Sequence, residues 1–356
     1  MKKHNFFAGP AILPQEVKEK ASQAAIDYNN TGLSLMKVSH RGEDFVDILN
    51  KTRIHVKNIL GLSSNYEVLL LTGGASSQFF MCAMNLADKN DTAAYLDTGS
   101  WSKKAIKEAK LFCDVKVLAS SADKGYSYIP KNYTVPTNLK YLHLTSNNTI
   151  YGTQIKDWPD TDCPIVCDMS SDIFSRNIPV EKFGLIYAGA QKNVGPAGVT
   201  LVIIRNDMLG QIKRELPTML NYQTHIDKNS SFNTPPVFPI YITMLTMEWI
   251  LKNGGLKEME KRNDAKSKLL YSEIDRNPLF EGTTAVEDRS PMNATFVLNN
   301  KKLDNAFLND CKSAGIVGLK GHRSVGGFRA SMYNALELES VQVLVDVMKS
   351  FAEKHG

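Results

Sequence analysis

The sequence has few cysteines and no long hydrophobic run, and each shortage argues against a class of protein. Only five of the 356 residues are cysteines, and this odd, scattered set does not predict a disulfide framework. The nearest pair, Cys163 and Cys167, is interpreted as buried strand residues rather than metal ligands. No apolar stretch approaches the length of a membrane span. We therefore expect a protein of the reducing cytoplasm, with no bound metal.

An excess of one charge and a targeting segment are also missing. The 42 basic and 37 acidic side chains leave a net charge of +5 with no basic block, so nucleic acid binding is not indicated. Two lysines near the start are not followed by an apolar segment before Pro10 and Pro14, and we expect no secretory signal peptide. A content of 43% hydrophobic and 22% charged residues is typical of a soluble globular protein. The length favours two domains.

The most informative stretch surrounds a single lysine. Residues 185–198 read LIYAGAQKNVGPAG, in which Lys192 is the only charge. This pattern predicts an apolar strand, then a turn, then a second apolar strand at 199–204. Apolar neighbours can hold a lysine away from water, and lost hydration lowers the ammonium pKa toward the neutral amine that attacks carbonyl groups. On this stretch alone, a surface lysine on a tight hairpin explains the pattern equally well.

An aspartate upstream favours the first interpretation. Residues 163–167 predict a short apolar strand, and Asp168 follows at its carboxyl end. Strand ends of an open α/β sheet share its ligand-binding edge, so we expect Asp168 and Lys192 to lie close together. In a pyridoxal phosphate enzyme, an aspartate keeps the pyridine nitrogen protonated so that the ring can accept electrons. Taken alone, Asp168 is explained equally well as a helix N-cap.

Asp168 and Lys192 together resemble the cofactor core of the fold-type I aminotransferases. The sequence of residues 187–198, YAGAQKNVGPAG, is similar to the corresponding motif of the phosphoserine aminotransferase family, and the resemblance extends from Phe6 to His355. It implies pyridoxal 5′-phosphate as cofactor, with Lys192 and Asp168 as the catalytic residues. The implied fold class is α/β, with a mostly parallel, seven-stranded-type large domain and a smaller αβ C-terminal domain. We place the large domain at 16–262 and the small domain at 1–15 and 263–356.

A glycine turn follows the predicted strand at 67–71. Residues 72–78 read TGGASSQ and lead into an apolar helix predicted at 79–85. Free N–H groups at a helix N-terminus after such a turn suit a phosphate. The turn is neither a dinucleotide fingerprint nor a P-loop, and an ordinary strand-to-helix turn explains it more simply. In the family this turn holds the cofactor phosphate, which implies Ala75 and Ser76 as ligands; some relatives have Arg at the position of Ser76.

The resemblance assigns five further residues to the cofactor. Trp101 matches a Gly-x-Trp turn of the family and is implied to stack on the pyridine ring, although most tryptophans only pack. Thr149 matches an Asn-x-Thr-Ile-x-Gly segment whose threonine bonds the ring oxygen, and Gln191 belongs to the same cofactor-binding set. Asn233 and Thr234 match a segment that crosses a dimer interface to the partner's cofactor phosphate. A homodimer with shared active sites is therefore implied.

Paired cations mark the predicted substrate site. His40 and Arg41 are adjacent on one glycine-bounded loop, and His322 and Arg323 are adjacent on another. Neighbouring cationic donors suit a dianion, with a solvated loop as the alternative in each case. The second segment matches the family's Gly-His-Arg-x-Val-Gly-Gly-x-Arg-Ala-Ser. By that resemblance Arg329 holds the substrate α-carboxylate, while the two pairs receive a distal phosphate or the γ-carboxylate of glutamate.

The resemblance implies a ping-pong transfer of an amino group. L-Glutamate donates it, and 3-phosphohydroxypyruvate accepts it to give O-phospho-L-serine and 2-oxoglutarate, with Lys192 moving the proton. Serine biosynthesis is the implied role, and bacterial relatives also act on a four-carbon phosphorylated keto acid on the route to pyridoxine.

Other functions remain open on the sequence. Another class-V enzyme, such as a small-substrate aminotransferase, would share the fold. A cysteine desulfurase needs a nucleophilic cysteine near the substrate arginine, but residues 321–331 contain none and Cys311 lies in a helical pattern. A non-enzymatic nucleotide-binding α/β protein would fit the glycine turn, yet it would leave Lys192 and Asp168 without a role.

Overall fold

A computed structural model describes residues 2–356, in which strands and helices alternate along the chain. The strands are β1 His4–Asn5, β2 Tyr66–Leu71, β3 Thr92–Asp97, β4 Asp114–Ser120, β5 Leu142–Thr145, β6 Asn147–Asn148, β7 Thr153–Gln154, β8 Ile165–Asp168, β9 Phe183–Gly189, β10 Thr200–Arg205, β11 Phe280–Gly282, β12 Asn293–Leu298, β13 Ile316–Val317 and β14 Phe328–Ser331. The helices are α1 Gln15–Ile26, α2 Glu43–Leu60, α3 Gly74–Leu86, α4 Ser100–Ala109, α5 Tyr222–Asp227, α6 Val237–Lys252, α7 Gly255–Arg276, α8 Asp304–Ser313 and α9 Leu338–His355.

The largest sheet places the predicted strand ends along one edge. Within residues 2–356 it has seven strands in the order β2, β10, β9, β8, β5, β3, β4. Strand β10 runs antiparallel to both of its neighbours, whereas β9, β8, β5, β3 and β4 are mutually parallel. The predicted mostly parallel α/β fold is therefore confirmed. The carboxyl ends of β5, β8 and β9 lie side by side, so the residues that follow them meet at one edge.

Helices cover both faces of this sheet, which explains why its strands read as apolar runs. Every residue of β9 is buried, as expected for a strand between two helical layers. One hydrophobic core joins a sheet face to α1, α2 and α6, and a second joins the opposite face to α3 and α4. Helix α2 shows the pattern that this packing needs, because Phe45, Ile48, Leu49, Thr52 and Val56 are buried at helical spacing.

A third hydrophobic core forms around a smaller sheet. Strands β11, β12 and β14 form an antiparallel sheet, and they pack with α7, α8, α9 and the N-terminal Phe6. Helix α7 contributes Met259 to the core of the large sheet and Leu270 to the third core. This separation supports the domain division proposed from the sequence, with the large domain at 16–262, which stays a prediction.

Local boundaries differ from the sequence expectations where glycines intervene. Helix α3 begins at Gly74 rather than Phe79, because the glycine turn is itself the first turn of the helix. The strand predicted at 316–319 ends at Val317, since Gly318 has a φ of 80° that a continuing strand does not permit.

Cys163 precedes β8 and is only partly buried, which corrects its interpretation as a buried strand residue, whereas Cys167 is buried. In the described part of the chain, no helix combines the length and apolarity needed to cross a membrane.

Candidate active site

A cavity of about 160 Å³ lies at the carboxyl edge of the large sheet. Its walls come from the ends of β5 and β8, the start of α3, the second residue of α4 and the turn after β9. Seven of the predicted site residues line it, namely Ala75, Ser76, Trp101, Thr149, Asp168, Gln191 and Lys192. These seven residues therefore lie close together in space, at the sheet edge where the sequence predicts them.

Lys192 occupies the turn between β9 and β10, partly screened from solvent. Its Nζ donates a hydrogen bond of 2.7 Å to Thr149 Oγ1. Burial lowers the pKa of Lys192 to about 8; the negative charge of Asp168 opposes this shift, and the positive charge of Arg329 adds to it. In an appreciable fraction of the molecules the Lys192 amine is thus neutral near physiological pH, as a nucleophilic amine requires.

Asp168 is the last residue of β8, and its carboxylate is buried. Burial raises the pKa of Asp168, against the opposing effects of hydrogen bonds from Ser170 and of the Lys192 charge. One carboxylate oxygen accepts the Ser170 backbone N–H at 2.9 Å, but residues 169–174 form turns rather than a helix. The helix N-cap interpretation is therefore wrong. The raised pKa indicates a carboxylate that a cationic partner in the cavity would stabilise.

The glycine turn presents a helix N-terminus to the same cavity. Gly73 has a φ of 97°, and a Cβ atom there would lie 2.0 Å from Ser77 Oγ, so only glycine fits. Helix α3 starts at Gly74, which puts Ala75 and Ser76 in its first turn. The N–H groups of a first turn have no intrahelical acceptors and attract anions.

Two buried polar groups that line the cavity have no hydrogen-bond partner in residues 2–356. They are the indole Nε1 of Trp101 and the hydroxyl of Thr145. The Lys104 ammonium lies 4.4 Å from the centroid of the Trp101 ring. A buried carboxylate, a partly neutral lysine, a tryptophan and a helix N-terminus around one space are complementary to a flat ring that carries a cation, a carbonyl group and a phosphate.

Three of the five predicted substrate residues lie near this cavity. Arg329, in β14, donates from Nη1 to the Thr149 carbonyl oxygen at 3.3 Å, and its buried Nε has no partner among the described residues. Burial lowers the pKa of His322, and the charges of Arg329, Arg323 and Lys104 lower it further. Arg329 thus lies against the cavity lining, and the charges of Arg323 and Lys104 act on the same histidine as its own.

Besides Arg329, His322 and Arg323, four more predicted residues lie outside the cavity lining of the described chain, namely His40, Arg41, Asn233 and Thr234. Arg41 is exposed, and its only side-chain hydrogen bond there is to His40, with 3.4 Å between the two nitrogens. Asn233 lines a neighbouring cavity of about 150 Å³ that includes Gly73. Thr234 is exposed. One chain therefore does not assemble the whole predicted set.

The cavity also contains polar residues that the sequence analysis did not select. They are Thr145, Asn147, Ser170 and Ser171. A signal for each was present, because they follow the apolar cores of β5 and β8 directly, at the same sheet edge as Asp168. Polar residues at the end of a buried parallel strand and directly after it are typical of a ligand-binding edge, and this pattern would have identified all four.

The cysteine of the desulfurase alternative is not available for chemistry. Cys311 lies in α8 and is 1% exposed. Burial raises the pKa of its thiol to about 12, whereas a nucleophilic cysteine needs a stabilised thiolate. This geometry removes the one cysteine that the sequence left as a candidate.

The chain is similar to known aminotransferases both in sequence and in structure. The family model described as aminotransferase class-V matches residues 4–344. The phosphoserine aminotransferase of Flavobacterium psychrophilum is 58% identical over 355 residues, which cover 99% of this chain and 100% of that protein. The structure of phosphoserine aminotransferase from Bacillus circulans subsp. alkalophilus is 46% identical, with a TM-score of 0.97 over 100% of this chain and 99% of that one. A PLP-bound phosphoserine aminotransferase structure from Trichomonas vaginalis is 36% identical, with a TM-score of 0.93 over 98% and 100% of the two chains.

Proposed function

We propose, from the premise that the chain belongs to the class-V aminotransferase family, that it transfers the amino group of L-glutamate to 3-phosphohydroxypyruvate. The products are O-phospho-L-serine and 2-oxoglutarate, so the reaction belongs to serine biosynthesis. Pyridoxal 5′-phosphate is the cofactor. The observation that carries the proposal is the single cavity in which Asp168, Lys192 and the N-terminus of α3 meet, with the Arg329 guanidinium against its lining.

Each group of lining residues is assigned to a different part of the cofactor. Asp168 pairs with the pyridine nitrogen, because its buried carboxylate has a raised pKa and lacks a cationic hydrogen-bond partner in the described chain. The N–H groups of Ala75 and Ser76 receive the phosphate at the start of α3. Trp101 would hold the flat ring against its indole, and the Lys104 ammonium lies 4.4 Å from the centroid of that indole. Thr149 and Gln191 complete the polar contacts.

Bound pyridoxal phosphate supplies a carbonyl group for the amine and an electron-withdrawing ring that accepts the electrons released when the substrate α-carbon loses its proton. Lys192 acts as the base at that carbon, since a pKa of about 8 leaves it able to take and return a proton near neutrality. Thr149 Oγ1 orients the amine from 2.7 Å.

Arg329 is proposed to hold the substrate α-carboxylate. Its buried Nε has no partner in residues 2–356, so a carboxylate that bonds Nε and one Nη would satisfy it in a bidentate fork. His322 and Arg323 receive the distal group. A dianionic phosphate and the γ-carboxylate of glutamate are both anions at the far end of the substrate, so one site serves both halves of the reaction.

A homodimer with shared active sites is part of the proposal. Asn233 and Thr234 lie outside the lining of their own chain's cavity, and a two-fold axis would offer them to the partner's cavity in both directions. Asn233 and Thr234 then reach the partner's cofactor phosphate, while His40 and Arg41 join His322 and Arg323 at the distal substrate group.

Colour and turnover test the function directly. The purified protein should show a visible absorption band that borohydride removes, and it should turn over glutamate repeatedly when 3-phosphohydroxypyruvate is present, whereas glutamate alone should give no more than one 2-oxoglutarate per active site. Hydroxypyruvate is the matched control, because it lacks only the phosphate. Equal rates with the two keto acids, or no product with either, would overturn the proposal.

Mixed dimers test the shared site. Lys192→Ala chains are reassembled with chains that carry Asn233→Ala and Thr234→Ala, after each parent homodimer is confirmed to be nearly inactive. With a shared site, every mixed dimer has one site with all defects and one with none. Random pairing then restores about a quarter of all sites. Mixed dimers that form but show no activity would rule out the exchange of residues between subunits.

The location and the domain division also remain proposals. We place the reaction in the cytoplasm, which fits the five free cysteines of the described chain. We divide the chain into a large domain at 16–262 and a small domain at 1–15 and 263–356, supported by the third hydrophobic core. The four-carbon phosphorylated keto acid of pyridoxine biosynthesis is a second substrate to assay, because it carries the same two anionic ends.

A further inference from the structure

A buried set of hydrogen bonds leads away from the cavity toward the small sheet. It begins at Asn147, which lines the cavity and is 2% exposed. The Asn147 side-chain amide donates to Ser171 Oγ at 2.8 Å and to Asn293 Oδ1 at 2.8 Å. Its own oxygen accepts the Ser290 hydroxyl at 2.5 Å. The amide nitrogen and the oxygen of this side chain are thus both engaged, with one of the three bonds in the large sheet region and two in the small domain.

Asn293 continues the set to the strand that carries Arg329. It is fully buried at the start of β12. Its amide nitrogen donates to Ser331 Oγ at 3.0 Å and to Tyr333 Oη at 3.3 Å. In the antiparallel pairing of β12 with β14, Asn293 is opposite Ser331 and Thr295 is opposite Arg329. The amide of Asn293 therefore anchors β14 two residues from Arg329.

The position of Arg329 depends on this anchor. The Arg329 side chain has one hydrogen bond within residues 2–356, to the Thr149 carbonyl, at a long 3.3 Å. That contact alone cannot fix a guanidinium group, so its place is set by the backbone of β14. The Asn147 and Asn293 pair ties this backbone to a cavity residue two positions before Thr149, and Thr295, opposite Arg329, adds a hydrogen bond to the Tyr151 carbonyl at 3.1 Å.

We propose that Asn293 is a positioning residue that holds β14, and with it the guanidinium of Arg329, at the distance from Lys192 that a substrate α-carboxylate requires. The inference deepens the proposed function and rests on its assignment of Arg329. A bidentate fork tolerates little displacement, so loss of the anchor weakens carboxylate binding. The cofactor keeps its own contacts, because Asn293 does not line the cavity.

The chain offers a matched control in Asn263. This asparagine is 1% exposed, and its amide also donates two hydrogen bonds, to the Ser175 carbonyl and to Asn334 Oδ1. Neither partner lines the cavity or belongs to β14. Replacing either asparagine with alanine leaves buried partners unsatisfied, at about 1 to 3 kcal/mol for each group. Both variants should lose thermal stability, but only Asn293→Ala should affect ligand binding.

The probe is glutarate, a five-carbon dicarboxylate that has no amino or keto group and so binds without reacting. Its dissociation constant is measured by calorimetry on the cofactor-loaded wild type, Asn293→Ala and Asn263→Ala, and cofactor affinity is measured by absorbance titration. We expect glutarate to bind about tenfold more weakly to Asn293→Ala, and within about twofold of wild type to Asn263→Ala. Cofactor affinity should stay within about twofold in both variants.

Ser331→Ala extends the test to a milder change, in case Asn293→Ala does not fold. It removes one of the two acceptors of the Asn293 amide and should weaken glutarate binding about threefold. Equal glutarate affinity in wild type, Asn293→Ala and Ser331→Ala would overturn the inference. If the wild type did not turn over 3-phosphohydroxypyruvate but Asn293→Ala still lost glutarate affinity, the proposed substrate would fail and the positioning role would stand.

Discussion

The cavity and the cationic loops beside it are built in opposite ways. In the cavity, Asp168 ends one buried strand and Lys192 follows another, and burial shifts the pKa of each in the direction that favours its neutral form. On the loops, Arg41 and Arg323 are exposed. The cavity charges are therefore held by the hydrophobic core, whereas the loop charges are held only by short glycine-bounded segments.

This difference separates chemistry from recognition. A nucleophilic lysine and a pyridine-binding carboxylate need a low-dielectric setting, which the core supplies at a cost in stability. Cations that select a phosphate need to be charged and accessible before the ligand arrives, so exposure suits them. Substitutions in the cavity should therefore abolish turnover, and substitutions on the loops should change selectivity.

The largest effect is expected from Lys192→Ala. Without the Lys192 amine there is no nucleophile for the cofactor carbonyl and no base at the substrate α-carbon, so transamination should fall to background. The band removed by borohydride should disappear, and any cofactor isolated with the protein should be held noncovalently. Product formation and a borohydride adduct mapped by mass spectrometry are the measurements. An adduct on any other lysine would remove Lys192 from its role.

Asp168→Asn should give the next largest loss. A neutral amide cannot stabilise a pyridinium, and turnover should fall by at least about 100-fold, since each 1.36 kcal/mol of barrier is a factor of ten. The fold should be intact, because the native carboxylate is already costly to bury. Steady-state turnover at saturating glutamate and the thermal midpoint are the two measurements.

Asp172→Asn is the matched control for that substitution. Asp172 is also a buried aspartate, but it lies 3.5 Å from the Arg176 guanidinium and accepts a hydrogen bond from Gln154 at 3.1 Å. Loss of its charge leaves Arg176 without its ion-pair partner, so stability should fall more than turnover. Near-normal turnover in Asp168→Asn, or a larger turnover loss in Asp172→Asn, would contradict the assigned roles.

The same contrast explains how much the sequence could predict. Asp168 and Lys192 were predictable because apolar runs define buried parallel strands, and the residues after such strands must share an edge. The approach of Arg329 to Thr149 was not, since the two residues are 180 positions apart and meet only through the packing of the small sheet. The position of Asn233 in a second, neighbouring cavity could not be predicted either, because residue spacing does not fix the path of an exposed loop.

Loop substitutions should change selectivity without a large change in stability. Arg323→Ala should lower the preference for 3-phosphohydroxypyruvate over hydroxypyruvate by roughly 10-fold to 100-fold, because a phosphate oxygen loses a charged donor worth about 1.5 to 3 kcal/mol. The ratio of kcat/KM for the two keto acids measures this. Lys320→Ala, an exposed cation three residues earlier on the same segment, is the control and should leave the ratio unchanged. Equal ratios in wild type and Arg323→Ala would show that the loop faces solvent or a different ligand.

The smallest expected effect concerns the stability cost of Lys192 in the cofactor-free protein. Its folded pKa of about 8 lies below the ordinary value of 10.5, so between these values the unfolded chain binds one more proton than the folded chain. Stability of the wild type therefore rises with pH across that window. Lys192→Met lacks this titration. Its free energy of unfolding should exceed that of the wild type by about 1 to 3 kcal/mol at pH 7, and the advantage should shrink as the pH approaches 10.

Lys266→Met separates this effect from a general gain on removing a buried lysine. Burial lowers the pKa of Lys266 to about 7, but its Nζ donates to the carbonyl oxygens of Met332 and Tyr333 at 2.9 and 2.7 Å. Methionine cannot replace those bonds, so Lys266→Met should be less stable than the wild type although it too removes a buried amine. Denaturant unfolding at pH 7 and pH 10 measures both variants. A Lys192→Met variant that is destabilised like Lys266→Met would mean that the catalytic lysine supports the fold, and the division between a costly chemical centre and its stabilising surroundings would not hold.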